Sequence, residues 1–175
     1  MNKGKIAIVI QARLTSTRFP RKSLALLLGK PIIQWVVERA QKVSSEIGVI
    51  VVIPDNKEND ELNEFLKTLN INIVRGSENN VASRFVSTIE KFELDYVIRV
   101  CADNPLLSPR YIRFLIDYYF ENGLRYSFNH VPKFDLQIND GYGAEMFDAK
   151  SYLLDYKKFT QSEEFEHVTY MYAQN

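Results

Sequence analysis

Arg13, Ser16, Thr17, Arg18, Arg21 and Lys22 cluster around Pro20, between the first apolar run of the chain and its first helical pattern. Guanidinium forks, hydroxyls and an ammonium are the groups that satisfy phosphate oxygens, and arginine adds a planar two-point grip that lysine lacks. Pro20 sets its φ in advance, which limits the entropy lost when the segment closes on a ligand. No acidic residue precedes Glu38, whereas Lys3, Lys5, Arg13, Arg18, Arg21, Lys22 and Lys30 place seven positive charges there. The whole chain balances 22 basic against 22 acidic side chains, so the remainder carries 15 against 22. A basic segment inside a neutral chain points to an anionic ligand held at one place; a solvated basic loop is the competing reading.

Other residues have the chemistry to complete such a site. Asp103 follows an apolar run, where its carboxylate can hold a divalent cation or simply organise the Asn104-Pro105 turn. His167 is of the commonest general-base type, although a lone histidine on a helix is more often structural. Arg84 and Arg99 read equally as nucleotide-side cations or as salt-bridge partners. Two phosphate signatures are missing from the sequence: no G-x-G-x-x-G follows the first strand and no G-x-x-x-x-G-K-[ST] occurs. A dinucleotide oxidoreductase and a P-loop ATPase are thereby disfavoured.

The elements that must position these residues alternate. Continuous β-branched runs predict strands over 6–10, 49–53, 71–74 and 96–100, each apolar enough to be covered on both faces. Helical stripes lie between them: Ile33, Val36, Val37, Ala40 and Val43; then Leu62, Phe65, Leu66 and Leu69; then Val81, Phe85, Ile89 and Phe92. Ser108 and Pro109 form an N-cap and first-turn pair for a fourth helix ending near Gly123. This rhythm predicts an α/β fold with a mostly parallel sheet and right-handed crossovers. Beyond Gly123 the reading is strand over 126–129, loop over 131–142, strand over 144–147, and helices over 149–156 and 162–172. The segment 11–30 exceeds the usual length of a strand-to-helix connection, and such loops at the carboxyl edge of a parallel sheet bind ligands. Apolar runs far shorter than roughly 20 residues predict no membrane span. A start without signal-peptide character and a single cysteine, Cys101, predict a cytoplasmic protein. Zero net charge offers no footprint for nucleic acid.

QARLTSTRFPRK followed by LLGKPIIQWVVERA resembles the amino-terminal signature of the cytidylyltransferase superfamily, which activates Kdo and sialic-type acids and includes spore-coat polysaccharide proteins. Arg13, Ser16, Arg18, Pro20 and Lys22 all match its fixed offsets, while Arg21 stands where glycine is often found. RGSENNVASRF resembles RGSEDDVLxRY, CADNPLLSP the segment with a metal-binding aspartate, NDGYGAEMF the motif PDGLDVEVF, and EHVTYMY the motif REHVTPYIY. Gly143 departs from the pattern, standing where the family usually has aspartate.

The resemblance implies one domain over 1–175, a Rossmann-like, GT-A-like three-layer sandwich, and a nucleotidyltransferase that uses CTP to activate a sugar for polysaccharide or glycoconjugate synthesis. It implies nucleotide contacts from Ala12, Arg13, Ser16, Arg18, Lys22, Ser77, Arg84 and Asp103, with Arg13, Lys22 and Asp103 catalytic and Asp103 holding Mg²⁺. Sugar contacts fall to Asn129, Glu145 and His167, and a homodimer would pair through 128–147. A glycosyltransferase is disfavoured because 102–104 reads Ala-Asp-Asn, with one acid where that class commonly has two. Relatives generally continue into a further strand bearing a second metal carboxylate, so the expectation for a chain ending at Asn175 is a domain that lacks that strand, binds nucleotide and turns over weakly.

Overall fold

In the computed structural model, which describes residues 4–16, 18–129 and 141–173, the strands are β1 (Ile6–Gln11), β2 (Leu26–Leu27), β3 (Lys30–Pro31), β4 (Gly48–Pro54), β5 (Asn72–Gly76), β6 (Tyr96–Cys101), β7 (Tyr126–Phe128) and β8 (Glu145–Asp148). The helices are α1 (Ile32–Gln41), α2 (Asp60–Thr68), α3 (Val81–Phe92), α4 (Pro109–Glu121), α5 (Ala149–Tyr156), α6 (Ser162–Glu166) and α7 (Tyr170–Ala173). Six strands form one sheet in the order β5-β4-β1-β6-β8-β7. The first four are parallel; β8 runs antiparallel to β6, and β7 antiparallel to β8.

Alternation along β1 explains the layers. Ile6, Ile8 and Ile10 face one cluster with Val36 and Val37 of α1, Leu62 and Leu66 of α2, and Ile112 and Leu115 of α4. Ala7 and Val9 face the other, with Phe85 and Ile89 of α3 and Tyr152 of α5. From β1 the chain winds outward through β4 to β5, then returns across to β6. Right-handed crossovers in opposite directions put their helices on opposite faces, so α1 and α2 share one face and α3 takes the other. The predicted four-strand parallel core and flanking helices are what the structure contains.

Helix starts follow the cap chemistry. The Ser108 hydroxyl accepts from the Tyr111 amide at 3.4 Å with Pro109 in the first turn, and the Asn80 side chain accepts from the Ser83 amide at 2.8 Å.

Two expectations are corrected. The segment 11–30 is not all loop: β2 and β3 form a small hairpin, closed by Leu28 and Gly29 at φ 50° and 79°, the left-handed pair a two-residue turn requires. The helix expected over 162–172 breaks at His167 into α6 and α7, because Val168 and Thr169 turn into the core. Most of the loop expected over 131–142, much of the pairing segment 128–147, the start of the 139–147 motif and Thr17 lie outside the described residues.

Candidate nucleotide site

The carboxyl ends of β1 and β6 adjoin where the strand order reverses, the position at which open α/β sheets leave a crevice. A cleft of about 290 Å³ opens there, its walls including Ala12, Arg13, Ser16, Arg18, Lys22, Arg84, Asp103 and His167. These eight expected residues come from four separated segments. A larger hollow of about 510 Å³ lies at the opposite edge, but its rim sets Lys5 and Arg113 against Glu46 and Asp117, so opposing charges cancel. Of the two, the smaller cleft concentrates cations, with Arg13, Arg18, Lys22 and Arg84 against Asp103 and Glu166.

The basic loop is tied down by a network that motif reading missed. The Ala12 amide donates to the Val52 carbonyl at 3.0 Å, extending β1 past its last residue. The Leu14 amide donates to Asn59 Oδ1 at 2.8 Å, Asn59 Nδ2 to Asn56 Oδ1 at 2.6 Å, and Asn56 Nδ2 to Glu78 Oε2 at 2.7 Å. Thr15 Oγ1 donates to the other oxygen of Glu78 at 2.7 Å. Asn59 is fully buried, and a buried amide so completely engaged specifies one loop path. The signal available in the sequence was the asparagine pair itself, set before an apolar helical stripe.

Arg21 does not enter the cleft. Its φ of 60° is left-handed, which accounts for the glycine of the resembling motif, and its guanidinium turns outward to Glu61 at 2.5 Å. Lys22, next in sequence, points inward and pairs with Asp103 Oδ2 at 2.5 Å, so the ammonium and the carboxylate that would meet a phosphate and a cation satisfy each other.

Arg84 is the electrostatic anomaly. It is 2% exposed, and its Nε and Nη1 have no hydrogen-bond partner among the described residues. Burial, then repulsion from Arg13, pulls its pKa down to about 10, with Glu78 acting in the opposite direction. It stays cationic at neutral pH, and a desolvated cation beside a cleft is strongly favoured by an anionic partner. Gly76 makes room for it: a Cβ there would stand 3.0 Å from Arg84 Cγ.

Three expected residues lie off the cleft wall. Ser77 is exposed, and its hydroxyl accepts from the Asn80 amide at 3.0 Å. Asn129 is buried, donating to the Tyr111 carbonyl at 3.2 Å and accepting from the Ala144 amide at 2.8 Å. Glu145 is buried opposite Arg99 across the β6–β8 ladder and bonded to it at 2.7 Å. Its other oxygen accepts from the Thr169 hydroxyl. Burial, the largest single influence, lowers the Arg99 pKa, but Glu145 together with Cys101 and Tyr126 outweighs it and the net shift is upward. Gln11, Cys101 and Glu166 line the cleft without having been singled out for it.

A cation-rich crevice of this construction suits a polyphosphate, and the comparisons agree on the family that builds it. A family model for cytidylyltransferases matches residues 7–168. An uncharacterized protein of Methanocaldococcus jannaschii is 30% identical over 169 residues, covering 96% of this chain and 67% of its own length. The 3-deoxy-manno-octulosonate cytidylyltransferase of Photobacterium profundum is 34% identical over 144 residues, covering 81% of this chain and 54% of its own. The chain thus spans between half and two thirds of these relatives. A solved cytidylyltransferase from Leptospira borgpetersenii superposes with a TM-score of 0.90 at 23% identity, over 98% of this chain and 72% of its own, and establishes the likeness of fold. With the model covering the sheet, the basic loop and the cleft, the chain belongs to the cytidylyltransferase family.

Proposed function

We propose that the protein transfers a cytidylyl group from CTP to a sugar hydroxyl, releasing pyrophosphate, in the synthesis of a polysaccharide or glycoconjugate. The observation that carries this reading is the buried Arg84 guanidinium, whose Nε and Nη1 have no partner among the described residues, beside a cleft already rich in Arg13, Arg18 and Lys22. The family match supports the choice of base and reaction.

The sugar hydroxyl oxygen attacks the α-phosphorus in line, the bond to the departing pyrophosphate breaks, and the hydroxyl proton passes to water or to His167. Such chemistry rests on positioning and oriented charge and forms no covalent enzyme intermediate. Arg13, Lys22 and Arg84 take the phosphate charge in this scheme, Ala12, Ser16 and Arg18 shape the loop around it, and the His167 side receives the acceptor.

Asp103 is the residue that would hold Mg²⁺. Among the described residues no three His, Cys, Asp or Glu side chains gather as a metal cage. One exposed carboxylate in a phosphate-sized cleft nevertheless fits Mg²⁺, which keeps several waters and is bound through one or two carboxylates plus substrate phosphates. When bound, it would neutralise charge on the phosphates. A homodimer working in the cytoplasm completes the proposal.

In a thermal-shift series with Mg²⁺, CTP is expected to raise the melting temperature more than ATP or NAD, and pyrophosphate release identifies the sugar that is consumed. Equal small shifts for every nucleotide would reduce the cleft to non-specific charge attraction. Lys22→Ala and Arg13→Ala are each expected to weaken CTP binding by about 1.5–3 kcal/mol with little change in stability. Titrations of both variants within error of the unmodified protein would mean that the loop is merely solvated.

A further inference from the structure

The EHVT segment divides by exposure: Glu166 and His167 are exposed and line the cleft, whereas Val168 and Thr169 are buried at 0% and 5%. A buried threonine hydroxyl needs a partner, and here it has a charged one. Thr169 Oγ1 donates to Glu145 Oε2, and Arg99 Nη1 reaches both Glu145 Oε1 at 2.7 Å and Thr169 Oγ1 at 3.2 Å. On its other side Arg99 Nε donates to Gln11 Oε1 at 3.1 Å, and Nη2 lies 4.0 Å from Cys101 Sγ. Gln11 and Cys101 line the same cleft as His167. One buried guanidinium thus joins the ends of β1 and β6, strand β8 and the turn that carries His167.

We infer that Arg99, Glu145 and Thr169 form a buried clamp that fixes the 166–169 turn against the sheet edge and thereby sets His167 and Gln11 on the acceptor side of the cleft. Glu145 and Thr169 are positioning residues: Glu145 has one oxygen on Arg99 and the other on Thr169, and it acts on the acceptor through His167 rather than by touching it. The break of the 162–172 helix at His167 is the structural cost of seating Thr169 on this pair. The assignment to the acceptor side rests on the cytidylyltransferase reading; the clamp itself rests on the contacts alone.

Thr169→Val keeps the shape of the side chain and removes only the hydroxyl, while Thr169→Ser keeps the hydroxyl. The valine variant is expected to retain CTP affinity and most of its melting temperature, to raise the acceptor KM on the order of tenfold, the effect of one charge-assisted hydrogen bond, and to change kcat less. The serine variant is expected to restore KM, and Glu145→Gln to raise it as Thr169→Val does. An unchanged KM in Thr169→Val, with acceptor use lost only in Glu145→Gln, would make Glu145 a direct ligand and overturn the clamp. The chain has two histidines, so the imidazole NMR signal of His167 supplies a readout that needs no turnover. It should shift or broaden in Thr169→Val and recover in Thr169→Ser; an unmoved signal would overturn the clamp even if the nucleotide reading failed for other reasons.

Discussion

The side chain that best separates stability from function is Arg84. A buried guanidinium with two nitrogens unbonded among the described residues costs the free protein more than a hydrophobe of similar length would. Arg84→Met is therefore expected to stabilise the unliganded protein by about 1–3 kcal/mol and to weaken CTP binding. Denaturant unfolding and a binding titration check the two halves, and a destabilised Met variant would mean that the guanidinium is satisfied after all. The pH dependence has a definite sign. With its folded pKa pulled down to about 10, well below the ordinary arginine value, the group is charged in both states below about pH 10, where its cost is present in full. That cost is relieved as pH rises above about 10 toward the ordinary arginine value, so this group alone makes stability rise with pH in that window, a contribution absent from Arg84→Met. Arg21 shows the opposite separation: a charge in the right motif, sent outward by a left-handed backbone to Glu61.

At the scale of elements, the basic loop is held by hydrogen bonds to the segment preceding α2 and to the turn before α3, so its path is set by side chains far from it in sequence. Asn59 is the joint, engaged at once with the Leu14 amide and with Asn56. Asn59→Ala strands the Leu14 amide and is expected to cost about 1–3 kcal/mol. It should also speed hydrogen exchange at Leu14 and weaken CTP binding in parallel. Exchange at Leu14 matching the unmodified protein would show that the loop holds its path without Asn59. The split of the last helical pattern belongs to the same scale. Phe165, Val168, Thr169 and Tyr172 recur at helical spacing, but the segment leaves a continuous helix where Val168 is buried and Thr169 bonds to the charged pair beneath it.

For the molecule as a whole, the two packed faces make burial uniform enough to perturb several tyrosines together. Burial raises the pKa of Tyr119, Tyr126 and Tyr152, and brings Tyr172 up to about 12. Each phenol ionises near 10 once unfolded and later in the folded state, so the unfolded chain loses protons first and stability falls as pH rises above about 10. Alkaline titration is expected to reveal these phenolates in one cooperative step together with the loss of helix signal. A gradual titration of all ten tyrosines near their ordinary value, with the helices intact, would contradict that burial.

Much of this was legible before any fold was known. Continuous β-branched runs alternating with helical stripes determine a doubly covered parallel sheet, because each pattern has one period that buries it. The clustering of Arg13, Ser16, Arg18 and Lys22 pointed to phosphate through side-chain chemistry alone, and their spacing to the family. Which of the chemistry-bearing residues share a cleft was decided by the tertiary structure. Sequence position cannot tell that Lys22 faces Asp103 while Arg21 faces Glu61, since one backbone angle separates them. Nor can it tell that Glu145 lies beneath the cleft wall, paired with Arg99: that pairing depends on β8 running antiparallel beside β6 in a particular register, a contact between segments 46 residues apart. The polar partners of Arg99, Asn59 and Thr169 are selected by where the strands end, and strand ends meet only in the folded sheet.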